Sequence, residues 1–302
     1  MSPRARSLLP LILSLFILYI VWGSTYYVLR VGVESWPPLL LGGVRFLSAG
    51  VLMFLFLRLR GQRLPGWRET RNAIIVGFLL LSVGNGLVTL AEHQHVPSGL
   101  AAVMVATVPL FALIFGRLFG IPSRPVEWLG ILIGMTGIIL LNSAGHLASN
   151  PWGAIMILLA ALSWAFGSVW GSRVALPPGA MAGAIELMAA GVILLVASLL
   201  SGEHLNHLPP LRGLLAFAYL VLFGSVMAIS AYMYLIRHTS PAVATSYAYV
   251  NPVVAVLLGT TFAGETLSAR EWLALAIIIA AVVMVTLGKY LFPARNVAQN
   301  ER

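Results

Sequence analysis

Two ionisable side chains stand well inside apolar stretches of this chain. Arg45 lies in LLLGGVRFLSAGVLMFLF and Glu186 in AMAGAIELMAAGVILLVAS. A charge in such surroundings is costly and by default marks a pathway or a binding site. Arg45 suits two tasks: attracting a substrate carboxylate, or binding carbonyls freed where a helix is broken. Glu186 suits two others: carrying a coupling proton, or holding a substrate amine. Structural pairing and snorkelling to the interface are the alternatives that need no substrate.

Around these charges the apolar stretches carry aromatic, amide and hydroxyl side chains at helical spacing. Residues three, four and seven apart share a helix face. Tyr19, Trp22 and Tyr26 form one stripe. Ser82, Asn85 and Thr89 form another, running on to Glu92 and His93. Met104, Thr107 and Phe111 share a face, as do Trp164, Ser168 and Gly171, and Met227, Ser230 and Tyr234. Tyr247 and Asn251 are one turn apart, while Ser246 and Tyr249 face elsewhere. Ser, Thr and Gly also glue membrane helices together, and terminal Trp and Tyr also form interfacial belts. Tyr19 and Trp22 lie about 15 and about 20 Å along their segment, too deep for such a belt. The reading is therefore a central cavity lined by Trp22, Tyr26, Asn85, Met104, Trp164, Ser168, Ser230, Tyr234, Ser246, Tyr249 and Asn251. Such a lining suits a flat, partly apolar solute that hydrogen-bonds. Pro109 and Pro252 interrupt their segments and predict helix kinks there.

Other chemistries are poorly served. The chain has no cysteine and no aspartate, so thiolate chemistry and an aspartyl dyad are excluded. Neither HExxH nor GxSxG occurs. His93 and His95 do not repeat a helical turn and, like His204 and His207, read as outer-loop residues, not as metal ligands. Nothing calls for a cofactor.

The elements that must position these side chains are apolar segments. Of 302 residues, 60% are hydrophobic and 9% charged, against about 25% charged in a soluble chain. About 20 apolar residues cross a bilayer. Ten segments qualify: 9–29, 39–57, 73–90, 99–119, 126–141, 152–172, 180–200, 213–235, 242–263 and 272–291. The first follows Arg4 and Arg6 like a signal peptide, but it is too long and lacks a cleavage site, so it reads as a retained helix. The expected fold class is an all-α polytopic membrane protein.

The net charge of +9 comes from 17 Arg and one Lys against nine Glu, and reads as loop charge for orientation, with no nucleic-acid partner. Fourteen basic residues fall on one side of the spans, including Arg58, Arg60, Arg63, Arg173 and Arg237, and three on the other, Arg30, Arg212 and Arg270. The basic side is expected in the cytoplasm, with both termini.

The chain also reads as one unit written twice, residues 1–147 and 148–302. Val96-Pro97 and Val108-Pro109 match Ser240-Pro241 and Asn251-Pro252; Glu127-Trp128-Leu129 matches Glu271-Trp272-Leu273. Arg45-Phe-Leu-Ser-Ala-Gly-Val-Leu matches Glu186-Leu-Met-Ala-Ala-Gly-Val-Ile. Five spans per unit make the second unit enter upside down, the arrangement of secondary transporters with a site at the repeat interface. Inversion puts Arg45 and Glu186 at depths about 10 Å apart, so a direct salt bridge requires both side chains to stretch. Gly130, Gly134 and Gly137 in the fifth span, and the Ala-, Ile- and Val-rich tenth, read as scaffold or as a homodimer face.

WGSTY at 22–26, PPLLLGGVRF at 37–46, the mid-span Pro109 and Pro252, and GETLSAREWLALAIIIAAV from Gly264 resemble the ten-helix exporter branch of the drug/metabolite transporter superfamily. Within that branch the chain is most similar to the aromatic amino-acid exporters. The resemblance implies a bacterial inner-membrane exporter of small metabolites with spans three, four, eight and nine, and parts of one, two, six and seven, around a central cavity. It also often implies a Glu soon after the fourth span, as Glu265 follows the ninth; Ile121 stands there instead. Aromatic and other neutral amino acids are the leading substrates, with drugs or nucleobases as the alternative. An intramembrane lipid-processing enzyme is the rival of another class.

Overall fold

The computed structural model describes residues 3–94, 96, 98–141 and 151–263, and between 269 and 284 residues 269–270, 272–274, 276–277, 280–281 and 284. Most of the expected tenth span, and Glu265, Pro97 and His95, therefore lie outside the described residues. Those described are helical or in short connections, with no strand among them.

Six stretches are long and apolar enough to cross a membrane: Leu8–Val33, Pro38–Leu59, Trp67–His93, Pro151–Gly171, Ala180–Leu200 and Leu211–His238. Three of them are unbroken α-helices, α3 (Pro38–Leu59), α9 (Pro151–Gly171) and α10 (Ala180–Leu200). The other three each contain a π-helical segment. The first is α1 (Pro3–Ile17), π residues Leu18–Trp22, then α2 (Gly23–Val33). The third expected span is α4 (Trp67–Gly77), Phe78–Asn85, then α5 (Gly86–His93). The eighth is α11 (Leu211–Tyr219), Leu220–Met227, then α12 (Ala228–His238). A π turn carries an extra residue, so the faces beyond it are rotated and some carbonyls seek side-chain donors.

The fourth and ninth expected spans are each two helices. The fourth is α6 (Ser98–Val105) and α7 (Val108–Leu118). It breaks at Ala106-Thr107, just before Pro109, where Thr107 N–H bonds back only to Met104 O at 3.1 Å. The fifth is α8 (Pro125–Leu141), and the ninth is α13 (Pro241–Ala244) and α14 (Tyr247–Ala263). Its break falls at Thr245-Ser246, while Pro252 lies inside α14. The opening turn of α14 is tight: Ala248 and Tyr249 N–H groups bond to Thr245 and Ser246 O, three residues back, at 3.1 Å.

Contacts define two ends of the bundle. At one, Asn72 Nδ2 donates to Ala175 O at 2.9 Å, Arg173 to Phe119 O, Arg237 to Pro177 O, and Ser240 Oγ to Glu127 Oε1 at 3.4 Å. This is the end rich in arginine. At the other, the Glu203 carboxylate accepts from Leu39 N at 3.2 Å, Leu40 N at 2.8 Å and Ser198 Oγ at 2.9 Å. An anion placed there satisfies two of the free N–H groups that begin every helix.

The centre of the fold is the α3–α10 pair, packed antiparallel. A Cβ on Gly50 would lie 2.6 Å from Met188 N, and one on Gly191 would lie 2.4 Å from Leu47 N. Glycine lets the two backbones meet at these points. The contact reproduces itself when the matched stretches are exchanged: Gly50 is five residues past Arg45 and meets Met188, and Gly191 is five past Glu186 and meets Leu47.

Candidate functional site: an aromatic cavity with a polar end

Between the Leu18–Trp22 π segment, α2, α3, the Phe78–Asn85 π segment, α5, α6, the start of α7, α9 and α14 lies a narrow cavity: about 590 Å³ is free of protein atoms, open solvent included, and about 60 Å³ of it admits the centre of a water-sized molecule. Its walls are Trp22, Tyr26, Trp164 and Tyr247, with Asn85, Asn251 and Arg45 as polar groups and Val, Leu and Ala between them.

Toward the arginine-rich end the cavity rests on a knot of rings. Trp22 meets Trp164 edge-on with centroids 5.4 Å apart, Tyr247 at 4.6 Å and Tyr232 at 5.3 Å. Tyr232 is fully buried, and its hydroxyl accepts from Trp164 Nε1 at 3.1 Å and pairs with Ser168 Oγ at 2.5 Å. Gly84 gives Trp164 room: a Cβ there would lie 2.9 Å from Trp164 Cε3. Such edge-on contacts favour a fixed arrangement of rings beyond their burial alone.

Arg45 is anchored by a π segment. Its Nε donates to Ser225 Oγ at 2.9 Å and its Nη2 to Gly224 O at 3.3 Å, and its guanidinium stands 4.8 Å from the Phe46 ring. Gly224 O also accepts Trp22 Nε1 at 3.1 Å. One carbonyl of the Leu220–Met227 segment thus fixes both a cavity cation and a cavity ring. The matching segment in the first half behaves alike, with Leu79 O accepting from Ser163 Oγ at 2.8 Å.

At the opposite end, Tyr26 and Asn251 stand on the wall together. Beyond them Ala91, Val96, Ala101 and Ile157 form an apolar layer on which Tyr26 and Met104 pack. Glu92 is buried here, 6% exposed, one turn beyond the wall residue Val88.

Of the residues expected to line the cavity, Trp22, Tyr26, Asn85, Trp164 and Asn251 meet at it, together with Arg45. The others stand elsewhere. Met104 belongs to the apolar layer, and Ser168 sits behind Trp164, bound to Tyr232. Ser230 Oγ turns back to Val226 O, and Tyr234 stacks on His238 at 4.1 Å. Ser246 pairs with Tyr19 at 2.9 Å. Tyr249 is fully buried on the far side of α14, against Ile131, Leu113 and Gly134. Gly134 therefore serves contact within the chain, between Tyr249 and Ala281. Glu186 is completely buried, lies outside the cavity lining and makes no ion pair with Arg45; its backbone backs onto Gly77.

Tyr247 lines the cavity outside the expected set, and it was legible, since it shares a face with Asn251. Tyr232 stands behind the lining in the ring knot, its hydroxyl bound to Trp164 and Ser168.

A bundle of apolar helices around a central, ring-lined cavity is the build of a membrane transporter, and the comparisons agree. The model of the EamA-like transporter family matches residues 9–143 and again 151–287. The chain belongs to this family, within the drug/metabolite transporter superfamily, and is an integral membrane transporter. It is 67% identical to the uncharacterized inner membrane transporter YedA of Escherichia coli, over 97% of this chain and 96% of that one. It is 28% identical to protein PecM of Dickeya dadantii over 88% of each chain. A solved crystal structure with 21% identity shares the fold, with a TM-score of 0.73 over 91% of this chain and 96% of that one.

Proposed function

We propose that the protein exports small amphipathic metabolites from the cytoplasm by alternating access through the central cavity, with aromatic and other neutral amino acids as leading substrates. The observation that carries this reading is the cavity itself. Four aromatic rings offer flat apolar faces, and Arg45, Asn85 and Asn251 offer a few polar contacts. The arginine-rich end faces the cytoplasm, as the excess of basic loop residues favours. The ring knot of Trp22, Trp164, Tyr232 and Tyr247 then bars the cavity from the cytoplasm in this conformation.

The test is counterflow of labelled phenylalanine and tryptophan into proteoliposomes of the purified protein. Saturable uptake competed by other aromatic amino acids is expected. No uptake of any amino acid by folded protein overturns the substrate class and leaves nucleobases and drugs to be tried.

A further inference from the structure

The cavity end at α2, α5 and α14 holds more hydrogen-bond acceptors than the protein supplies with donors. Both carboxylate oxygens of Glu92 are buried without a hydrogen-bond partner, and so are Oδ1 of Asn85 and Oδ1 of Asn251. Asn85 and Asn251 line the cavity, and Asn251 is 2% exposed. Glu92 follows Asn85 and Val88 along one face of the same helical span and acts electrostatically on Tyr26. Arg30 acts on Glu92 through space but is exposed and forms no ion pair with it within 4 Å.

Buried acceptors left without donors are costly, and a buried carboxylate most of all. A buried carboxylate and two amide oxygens, all without donors, have one natural complement. A primary ammonium brings a positive charge and three N–H donors, with no acceptor of its own. The aromatic walls add to this, since ring faces attract cations. Arg45, donor-only, marks a separate site on the wall.

Building on the transport reading above, we propose that this end of the cavity is an ammonium subsite. Glu92 is the counter-charge and Asn85 and Asn251 are the acceptors for the protonated amine of the solute. The solutes it takes are aromatic or alkyl primary amines and α-amino acids. An amino acid would set its ammonium here and direct its carboxylate toward Arg45. A neutral nucleobase would leave the carboxylate unanswered.

The full-length purified protein tests this through its own cavity tryptophans, Trp22 and Trp164. The fluorescence of the protein's eight tryptophans, two of them in the cavity, is titrated with phenethylamine, phenylalanine, 3-phenylpropionate and adenine, and each titration is repeated in Glu92→Gln and Asn85→Leu. Saturable quenching by the two amine-bearing probes is expected, with 3-phenylpropionate at least about ten-fold weaker than phenylalanine. Glu92→Gln weakens phenethylamine by about ten-fold or more, and Asn85→Leu weakens it by several-fold. The second variant decides the matter if the first does not fold. The subsite is overturned if 3-phenylpropionate binds as well as phenylalanine, or if the folded variants keep wild-type affinity for phenethylamine. Quenching by adenine with none by the amines overturns the subsite and leaves the transport reading standing. No quenching by any probe overturns both.

Discussion

Gly84 and Gly86 lie two residues apart but face different neighbours, and that difference isolates the cavity's contribution. A Cβ at Gly84 would lie 2.9 Å from Trp164 Cε3 and 3.2 Å from Leu79 O. Ordinary contact begins at 3.4 Å, so the indole would have to retreat by about 0.5 Å (3.4 less 2.9). It is poorly placed to do so, being held by its bond to Tyr232 and its edge contact with Trp22. A Cβ at Gly86 would press on Leu194 Cδ2, at 3.1 Å, the flexible tip of a side chain, and would meet Leu81 O in ordinary contact at 3.9 Å. Overpacking costs about 1–3 kcal/mol. If the bound substrate needs Trp164 in its present place, binding reimposes this strain and Gly84→Ala weakens apparent affinity by up to about 140-fold. Gly86→Ala changes it by less than about two-fold. The assay is concentration-dependent counterflow in proteoliposomes, with protein amount and monodispersity matched. Equal effects of the two substitutions, or none at Gly84, would refute the reasoning that the Trp164 face binds the substrate.

Three further outcomes follow from individual contacts. Trp164→Ala lowers counterflow, whereas Tyr249→Phe spares it and raises thermal stability by about 1 kcal/mol, because the Tyr249 hydroxyl is buried without a partner. Glu203→Gln removes the charge that accepts the Leu39 and Leu40 N–H groups, and lowers stability by about 1 kcal/mol in thermal unfolding, with substrate affinity unchanged. Arg45→Lys keeps the charge but loses the planar fork that meets Ser225 Oγ from Nε and Gly224 O from Nη2, so flux falls by about ten-fold while the protein still folds.

The pattern of the chain exposed the scaffold more fully than the site. The stretches after Arg45 and Glu186 match in sequence, and the structure adds what the match did not announce, that their glycines let the α3 and α10 backbones meet. Trp22, Tyr26, Asn85, Trp164 and Asn251 were legible from depth and side-chain type. The choice of face on α12 was not: helical spacing groups Met227, Ser230 and Tyr234, whereas Tyr232 is the ring that joins Trp22 and Trp164. Tyr249 was chosen for its depth alone, and its position two residues from Tyr247 puts it on nearly the opposite face of α14. Proline located the break of the fourth span, yet in the ninth the backbone yields at Thr245-Ser246, well before Pro252. Glu92 looked like a loop residue at a span end. Only the packing of Ala91, Val96 and Ala101 around that end shows that it is buried.

The central claim is that the solute occupies the cavity between Trp22 and Trp164, and the absence of native cysteine makes it directly measurable. A single cysteine is introduced by Ala161→Cys, on the cavity wall, and separately by Val192→Cys, half exposed on the outside of α10. The rate of thiol labelling is measured with and without saturating phenylalanine in proteoliposomes that show counterflow. The account predicts that phenylalanine slows labelling at position 161 several-fold and leaves position 192 unchanged. Equal labelling at position 161 with and without phenylalanine, while counterflow proceeds, would contradict it.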